Sequence, residues 1–386
     1  MTPEEILPDE LLERMKIRAA GYDQDNSFFH EDLAELAAAG YLKIFVSGPD
    51  GGWGLGLEAA AALQRRLATA APATALAVNM HLVWTGVAHV LAERGDNSLG
   101  FVLKEAGQGE IFAFGISEAG NDSMLFDSGT SAEPLPDGGY SFTGWKIFTS
   151  LSPAWTRLGI FGKDSDARQG EGELVFGFIR RDDAGHETLD DWDTLGMRAS
   201  QSNTTVLRGA VAPPERIFRK LPVGPNGDPL IFAIFACFET LLAAVYTGIG
   251  ERAFALAVEA AKRRTSAKYG GRSFAQDPDI RWKVADGAMA MDAIQTQLAS
   301  VARDVDALVD HGAHWFPKFV GLKVRATENA RTMVDLAIRV SGGSSYFRGS
   351  ELERLYRDVL AGIFHPSNDE SAHNTIANAW LGPLEG

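Results

Sequence analysis

Ala113-Phe114-Gly115-Ile116-Ser117-Glu118-Ala119-Gly120-Asn121-Asp122-Ser123 marks the point where the chain changes character. It begins with a β-prone run, Ile111–Ile116, and ends in a Ser-Glu-x-Gly sequence that taken alone reads as a turn. Upstream, Glu31–Ala39 and Leu57–Ala71 are rich in Ala and Leu, with charges spaced for one solvated face, and read as helices. The Gly51-Gly52-Trp53-Gly54-Leu55-Gly56 segment between them contains a G-x-G but has no βαβ unit around it, so it reads as a tight loop. Downstream, short β-prone runs (Tyr140–Phe148, Leu158–Phe161, Leu174–Ile179) are broken by Gly, Asp and Pro, and Asp137-Gly138-Gly139 suits a hairpin turn. Long helices return at roughly 233–266, 280–309 and 318–341, the first with small residues Ala243, Ala244, Gly248 and Gly250 for close backbone approach. Ser350 with Glu353 forms a capping box, and Pro366-Ser367 with Glu370 reads as a further helix start. The expected layout is α+β: an N-terminal helical domain (1–110), a central β-barrel or sandwich (111–225) and a C-terminal four-helix bundle (226–386).

Composition narrows the function classes. The chain has 386 residues, 45% hydrophobic and 23% charged, which is ordinary for a globular protein. A formal net charge of −15 argues against binding nucleic acid or an anionic membrane surface, both of which attract basic proteins. The single cysteine, Cys237, allows no internal disulfide and fits a cytoplasmic location. The acidic N-terminus lacks the apolar core of a secretory signal, and no uninterrupted apolar run reaches the roughly 18–20 residues of a membrane span.

Four segments together resemble the acyl-CoA dehydrogenase superfamily, in order and spacing, over nearly the whole chain. The 113–123 segment is similar to A-x-x-x-T-E-P-G-x-G-S, and Gly144-Trp145-Lys146-Ile147-Phe148-Thr149-Ser150 to G-x-K-x-W-I-T-N. Thr194-Leu195-Gly196-Met197-Arg198-Ala199-Ser200 resembles L-G-M-R-x-S, a structural segment. Arg339-Val340-Ser341-Gly342-Gly343-Ser344-Ser345-Tyr346 with Leu352–Asp358 resembles Q-x-x-G-G-x-G-[FY]…E-[KR]-L-x-R-D. The resemblance implies a FAD cofactor. Its ring would be met by Phe114, Ile116 and Ser117 at the strand end and by Phe148, Thr149 and Ser150. Phe148 stands where the family has a stacking Trp, and Ser150 where it has a hydroxyl near the reactive ring nitrogen. The adenine half would approach the Gly342-Gly343 turn of a neighbouring subunit, with Arg339 in place of the usual Gln. Lys268 and Tyr269 lie in a segment similar to E-R-x-x-F-G, although Ser266 stands where that Arg would be. Ser123 would lie beside the acyl thioester. The resemblance further implies a homodimer or homotetramer, an acyl thioester substrate on CoA or a carrier protein, and an electron acceptor.

The base required for α,β-dehydrogenation is missing from both places where the family carries a Glu: here they are Thr240 and Pro366. Glu239 is adjacent to the first and is the tentative base, though one step turns a helix by about 100°; Thr240 is then a candidate substrate contact. Asp369 lies three residues past the second, where an acid also serves as a helix cap. His365, in Ile363-Phe364-His365-Pro366, offers a different reading. Flavin monooxygenases of the same fold often carry L-H-D-P in this turn, so His365 is a candidate for oxygen-using chemistry near the flavin. The expected function is dehydrogenation of an acyl thioester. The alternatives are a monooxygenase or oxidase of the same fold, and a catalytically weak homologue kept for binding. His311 and His314 have no third ligand nearby in sequence, so no metal site is expected.

Overall fold

The computed structural model describes residues 3–267 and 270–384. Among these residues the first six helices are α1 (Pro3–Ile6), α2 (Asp9–Asp25), α3 (His30–Ala38), α4 (Leu57–Ala68), α5 (Pro72–Glu93) and α6 (Gly100–Gly107). Strands follow: β1 (Phe112–Gly115), β2 (Ser131–Pro134), β3 (Tyr140–Lys146), β4 (Arg157–Asp164), β5 (Glu173–Arg180), β6 (His186–Thr188), β7 (Thr205–Ala212) and β8 (Ile217–Pro222). Helices then resume with α7 (Pro229–Arg263), α8 (Pro278–Asp306), α9 (Trp315–Ser341), α10 (Glu351–Val359) and α11 (Asp369–Leu381). A small hairpin, β9 (Thr265–Ser266) with β10 (Arg272–Ser273), separates α7 from α8.

The central strands form one mixed sheet in the order β6-β7-β3-β2-β4-β5-β8, with β1 added on β4. β4 pairs in parallel with β1 and β2 and antiparallel with β5. Its side chains alternate as a strand demands: Leu158 and Ile160 enter a core within the strand region, while Phe161 joins the larger core shared with the helices. Trp84 of α5 carries that larger core onto the sheet, with its indole Nε1 donating to Ala113 O at 3.0 Å. Gly159 is needed beneath it, since a Cβ there would stand 2.4 Å from the indole ring.

α5 and α7 are apolar nearly all round, long and apolar enough by composition to cross a membrane, yet most of each is buried inside the fold. Asp228 caps α7 by accepting from Leu230 N at 2.8 Å. The expected close approach occurs at Gly248, where a Cβ would lie 2.3 Å from Arg65 O of α4. α7 packs chiefly on α9 and on α5. The Ser350 cap forms as expected, accepting from Glu353 N at 3.1 Å. The next helix starts later than expected, at Asp369, with Asn368 Oδ1 accepting from Ser371 N at 3.0 Å. Ser367 has φ +55°, a left-handed conformation that does not continue into a helix.

His81 fixes α5 to both neighbours. Its Nε2 lies 2.7 Å from Leu42 O and its Nδ1 accepts from Phe112 N at 3.1 Å. That pairing requires the neutral ring, and burial pushes its pKa down from 6.5 to about 4. A depressed folded pKa gives stability that is complete above the unfolded value and is lost as pH falls from 6.5 toward 4. Thermal unfolding should therefore show an acid limb in that window, worth at most about 3 kcal/mol. His81→Gln should flatten it; an unchanged limb would remove His81 as its cause.

Candidate functional site

Two cavities meet where the ends of β1 and β3 face α7 and the turn before α11. The larger, of about 530 Å³, is lined by Ile116, Glu118, Asp122, Leu125, Phe235 and Glu239, among others. The smaller, of about 280 Å³, is lined by Leu76, Met80, Ser150, Trp192, Met197 and Ser202, among others. Phe114, Ser117, Phe148, Phe238 and His365 face both. The volume of the larger is that of a site for a small organic ligand.

The sheet positions the first group. Ser117 follows β1, and its carbonyl accepts from Ile147 N at 2.9 Å, which joins the ends of β1 and β3. Phe148 follows β3 at φ +56° and is 51% exposed, with its ring edge-on to Trp192 at 6.1 Å. The Ser150 and Ser202 hydroxyls pair at 2.8 Å, and Ser202 also meets Ser200 at 2.7 Å. Phe114 stacks on Phe238 of α7 at 5.6 Å. The smaller cavity is thus aromatic and apolar, with the hydroxyls of Ser117 and Ser150 in its wall, a fit for the flat, hydrogen-bonding ring of a flavin.

Glu118 organises the loop beyond β1. It accepts from Lys146 Nζ at 2.5 Å, Thr130 Oγ1 at 2.6 Å, Ser128 Oγ at 2.7 Å and Gly129 N at 2.8 Å. Burial would raise its pKa, but the Lys146 charge and these hydrogen bonds outweigh it and hold the carboxyl at about 2. Burial pushes Lys146 down to about 8, so both partners remain ionised at neutral pH.

The helical side contributes a second buried polar group. Glu239 of α7 is 2% exposed; its Oε1 accepts from Ser367 Oγ at 2.5 Å and its Oε2 has no partner. Burial raises its pKa, opposed by Ser367 and by the nearby charge of Lys323. Lys323 of α9 donates to His365 O at 3.2 Å and Ser367 O at 3.0 Å. His365 Nε2 lies 2.8 Å from Tyr246 Oη, and burial together with Lys323 lowers its pKa to about 3, which keeps the imidazole neutral.

The sequence candidates therefore separate. Phe114, Ser117, Phe148 and His365 face both cavities, Ile116 and Glu239 the larger, and Ser150 the smaller. The one-residue step expected to turn Glu239 away does not: Glu239 lines the cavity, while Thr240 is fully buried within the bundle and lines neither. Thr149 is buried with its hydroxyl toward Lys146 O, and Ser123 is exposed beside the larger cavity without lining it. Arg339 is 66% exposed and paired with Asp335 one turn away. Gly342 ends α9 at φ +69° as a helix cap with the Arg264 guanidinium against it, and neither it nor Gly343 lines these two cavities. Lys268 and Tyr269 lie outside the described residues. Sequence reasoning missed Trp192, Tyr246, Ser367 as a ligand of Glu239, and Lys323. A signal existed for the last: Lys323 is four residues from Phe319 and Thr327, on the buried stripe of α9.

Residues 240–370 match the family described as "Acyl-CoA dehydrogenase, C-terminal domain". A putative acyl-CoA dehydrogenase of Bacillus subtilis is 27% identical over 93% of this chain and 91% of its own length. L-evernosamine nitrososynthase of a Micromonospora strain is 28% identical over 92% of this chain and 84% of its own. A solved structure of KijD3 in complex with FMN and an amino-keto sugar linked to dTDP superposes with a TM-score of 0.83 at 25% identity, covering 97% of this chain and 92% of that one. Residues 240–370 thus match the C-terminal domain of acyl-CoA dehydrogenases, and the chain as a whole shares its fold with acyl-CoA dehydrogenases and with flavin-binding oxygen-using proteins.

The buried pair beside the larger cavity gives a test of this geometry. Glu118→Ala should cost about 3–5 kcal/mol because it leaves the Lys146 charge uncompensated. A Glu118→Leu, Lys146→Met double variant should cost less than that single change. Urea unfolding of the flavin-free protein reads both, and a double variant worse than Glu118→Ala would contradict the pairing.

Proposed function

We propose that this protein is a flavin-dependent oxygenase that works on a small, largely apolar molecule held in the larger cavity. One observation carries the reading: a neutral imidazole, His365, stands in the wall common to the two cavities. Ser117, Phe148, Ser150 and Trp192 would hold the flavin ring, and the reduced flavin supplies the electrons for oxygen chemistry. His365, with Nε2 engaged by Tyr246 Oη, stays neutral and can hold a hydrogen bond through its other ring nitrogen to the reacting group between ring and substrate. Phe114 and Phe238 exclude water from the same junction. The nitrososynthase relative fits this reading, since a nitroso product is an oxygenated nitrogen.

We take FMN as the cofactor, since FMN is the flavin in the KijD3 complex. We place the working protein in the cytoplasm as a homodimer or homotetramer. Exposed Trp282 on α8, Trp380 on α11, and Tyr346 and Phe347 between α9 and α10 support an interface between copies.

Dehydrogenation of an acyl thioester is the second reading, favoured by Glu239, a cavity-lining carboxyl whose pKa burial raises toward that of a useful base. Two experiments on the FMN- or FAD-loaded protein separate the readings. The oxygenase reading predicts that acyl-CoAs leave the oxidised flavin yellow under anaerobiosis. It also predicts that NADH-reduced flavin with isotopically heavy oxygen labels a product from a panel of amines, thioethers and aromatic rings. His365→Ala should cut that product by about a hundredfold and divert oxygen to hydrogen peroxide. Bleaching by an acyl-CoA, abolished in Glu239→Gln, would overturn the oxygenase in favour of the dehydrogenase. Chromatography of the flavin released on denaturation identifies FMN, or FAD if the cofactor assignment is wrong.

A further inference from the structure

Three turn residues of the site depend on a lysine that neither reading uses. Lys323 is 1% exposed on α9, and its ammonium occupies the back of the His365-Pro366-Ser367 turn rather than either cavity. Two of its three N–H groups go to backbone carbonyls of that turn. The side chain of the same Ser367 holds Glu239 Oε1. Ser367 is buried with φ +55°, an uncommon conformation for a residue with a Cβ, so the turn is held in shape rather than resting there.

The charges converge without a direct salt bridge. Lys323 feels Glu239 most strongly, then Asp369 at the start of α11 and Glu328 on its own helix. Burial chiefly, and the Lys323 charge after it, keeps His365 from protonating. Glu239 Oε2 has no hydrogen-bond partner, and the hydroxyls of Thr240 and Thr327 on the two facing helices are also unpartnered. A buried carboxylate in such a place is tolerated because a compensating charge lies close by.

We propose that Lys323 is a positioning residue: with Glu239 as its counter-charge, it clamps the 365–367 turn between α7 and α9 and so sets where the His365 imidazole stands against the flavin and substrate. This rests on the assignment of the two cavities to flavin and substrate, and it applies whether the reaction is oxygenation or dehydrogenation. Glu239 then serves first as an anchor, reaching the turn through Ser367. Lys323 touches neither ligand.

Three measurements on the full-length protein test it, the first two independent of turnover. In a cycle of Lys323→Met, Glu239→Gln and the double variant, thermal and urea unfolding should show the double variant less destabilised than the sum of the singles. By infrared difference titration, the carboxyl signal lost in Glu239→Gln should persist to higher pH in Lys323→Met than in the unmodified chain. With FMN as the probe, Lys323→Met should alter the visible flavin spectrum and lower kcat by about a hundredfold, the scale of a small misplacement, with less change in KM. Additive stabilities, or an unshifted Glu239 titration, would overturn the clamp even if flavin turnover fell. If Lys323→Met proves too unstable to purify, Ser367→Ala tests the same link, and an unchanged flavin spectrum and turnover there would overturn the proposal. Loss of all oxygen-dependent product in the unmodified chain, with the first two results as expected, would instead count against the oxygenase reading alone.

Discussion

Arg357 receives the three parts of the chain at one guanidinium. It meets Asp23 of α2 at 2.6 Å and Glu353 of its own helix at 2.7 Å, and it donates to Leu195 O, from the loop between β6 and β7, at 3.0 Å. Beside it, Asp358 accepts from Met197 N at 2.6 Å. Gly196 lies so close that a Cβ would be 2.3 Å from Arg357 O. Planar, permanently charged and able to donate five ways, arginine suits a junction of this kind. The cavities depend on it, because their walls come from α5, the strand ends, the 192–202 loop, α7 and the turn before α11. Loosening α10 from the 194–198 segment would open the smaller cavity at Leu195 and Gly196.

This explains why two sequence segments of modest chemical interest are prominent in the chain. Thr194–Ser200 and Leu352–Asp358 carry no reacting group, yet they are the two sides of one joint. Each is legible as a segment; that they face one another is not, since about 160 residues separate them. Local rules served where the cause is local. The Ser350 cap, the β2–β3 turn at Asp137–Gly139 and the small residues of α7 appear where side-chain chemistry and backbone freedom call for them.

The site was legible in part for the same reason. Ser117, Phe148 and Ser150 could be placed because they follow strands in recognisable segments. Trp192 and Tyr246 reach the site through folding over long separations, and nothing adjacent to them in sequence reports it. α5 was not distinguished as a single long helix because its residues are apolar on every side, which removes the periodicity that would mark a face. Glu239 reads as misaligned by one residue only if the cavity is assumed to lie against Thr240. The fold instead buries Thr240 between helices and turns its neighbour toward the space.

The partition between the cavities has a bearing on how such an enzyme can change its substrate. Phe114, Phe148, Phe238 and His365 belong to both sides, so under the proposed assignment of substrate to the larger cavity and flavin to the smaller, enlarging the substrate chamber at any of them also alters the bed of the ring. Leu125, Ile234 and Phe235 border the larger chamber alone. Drift or engineering confined to those three can trade one guest for another while leaving the redox partner undisturbed. Diversity of substrate on a constant cofactor is therefore available on one side of this wall and closed off within it.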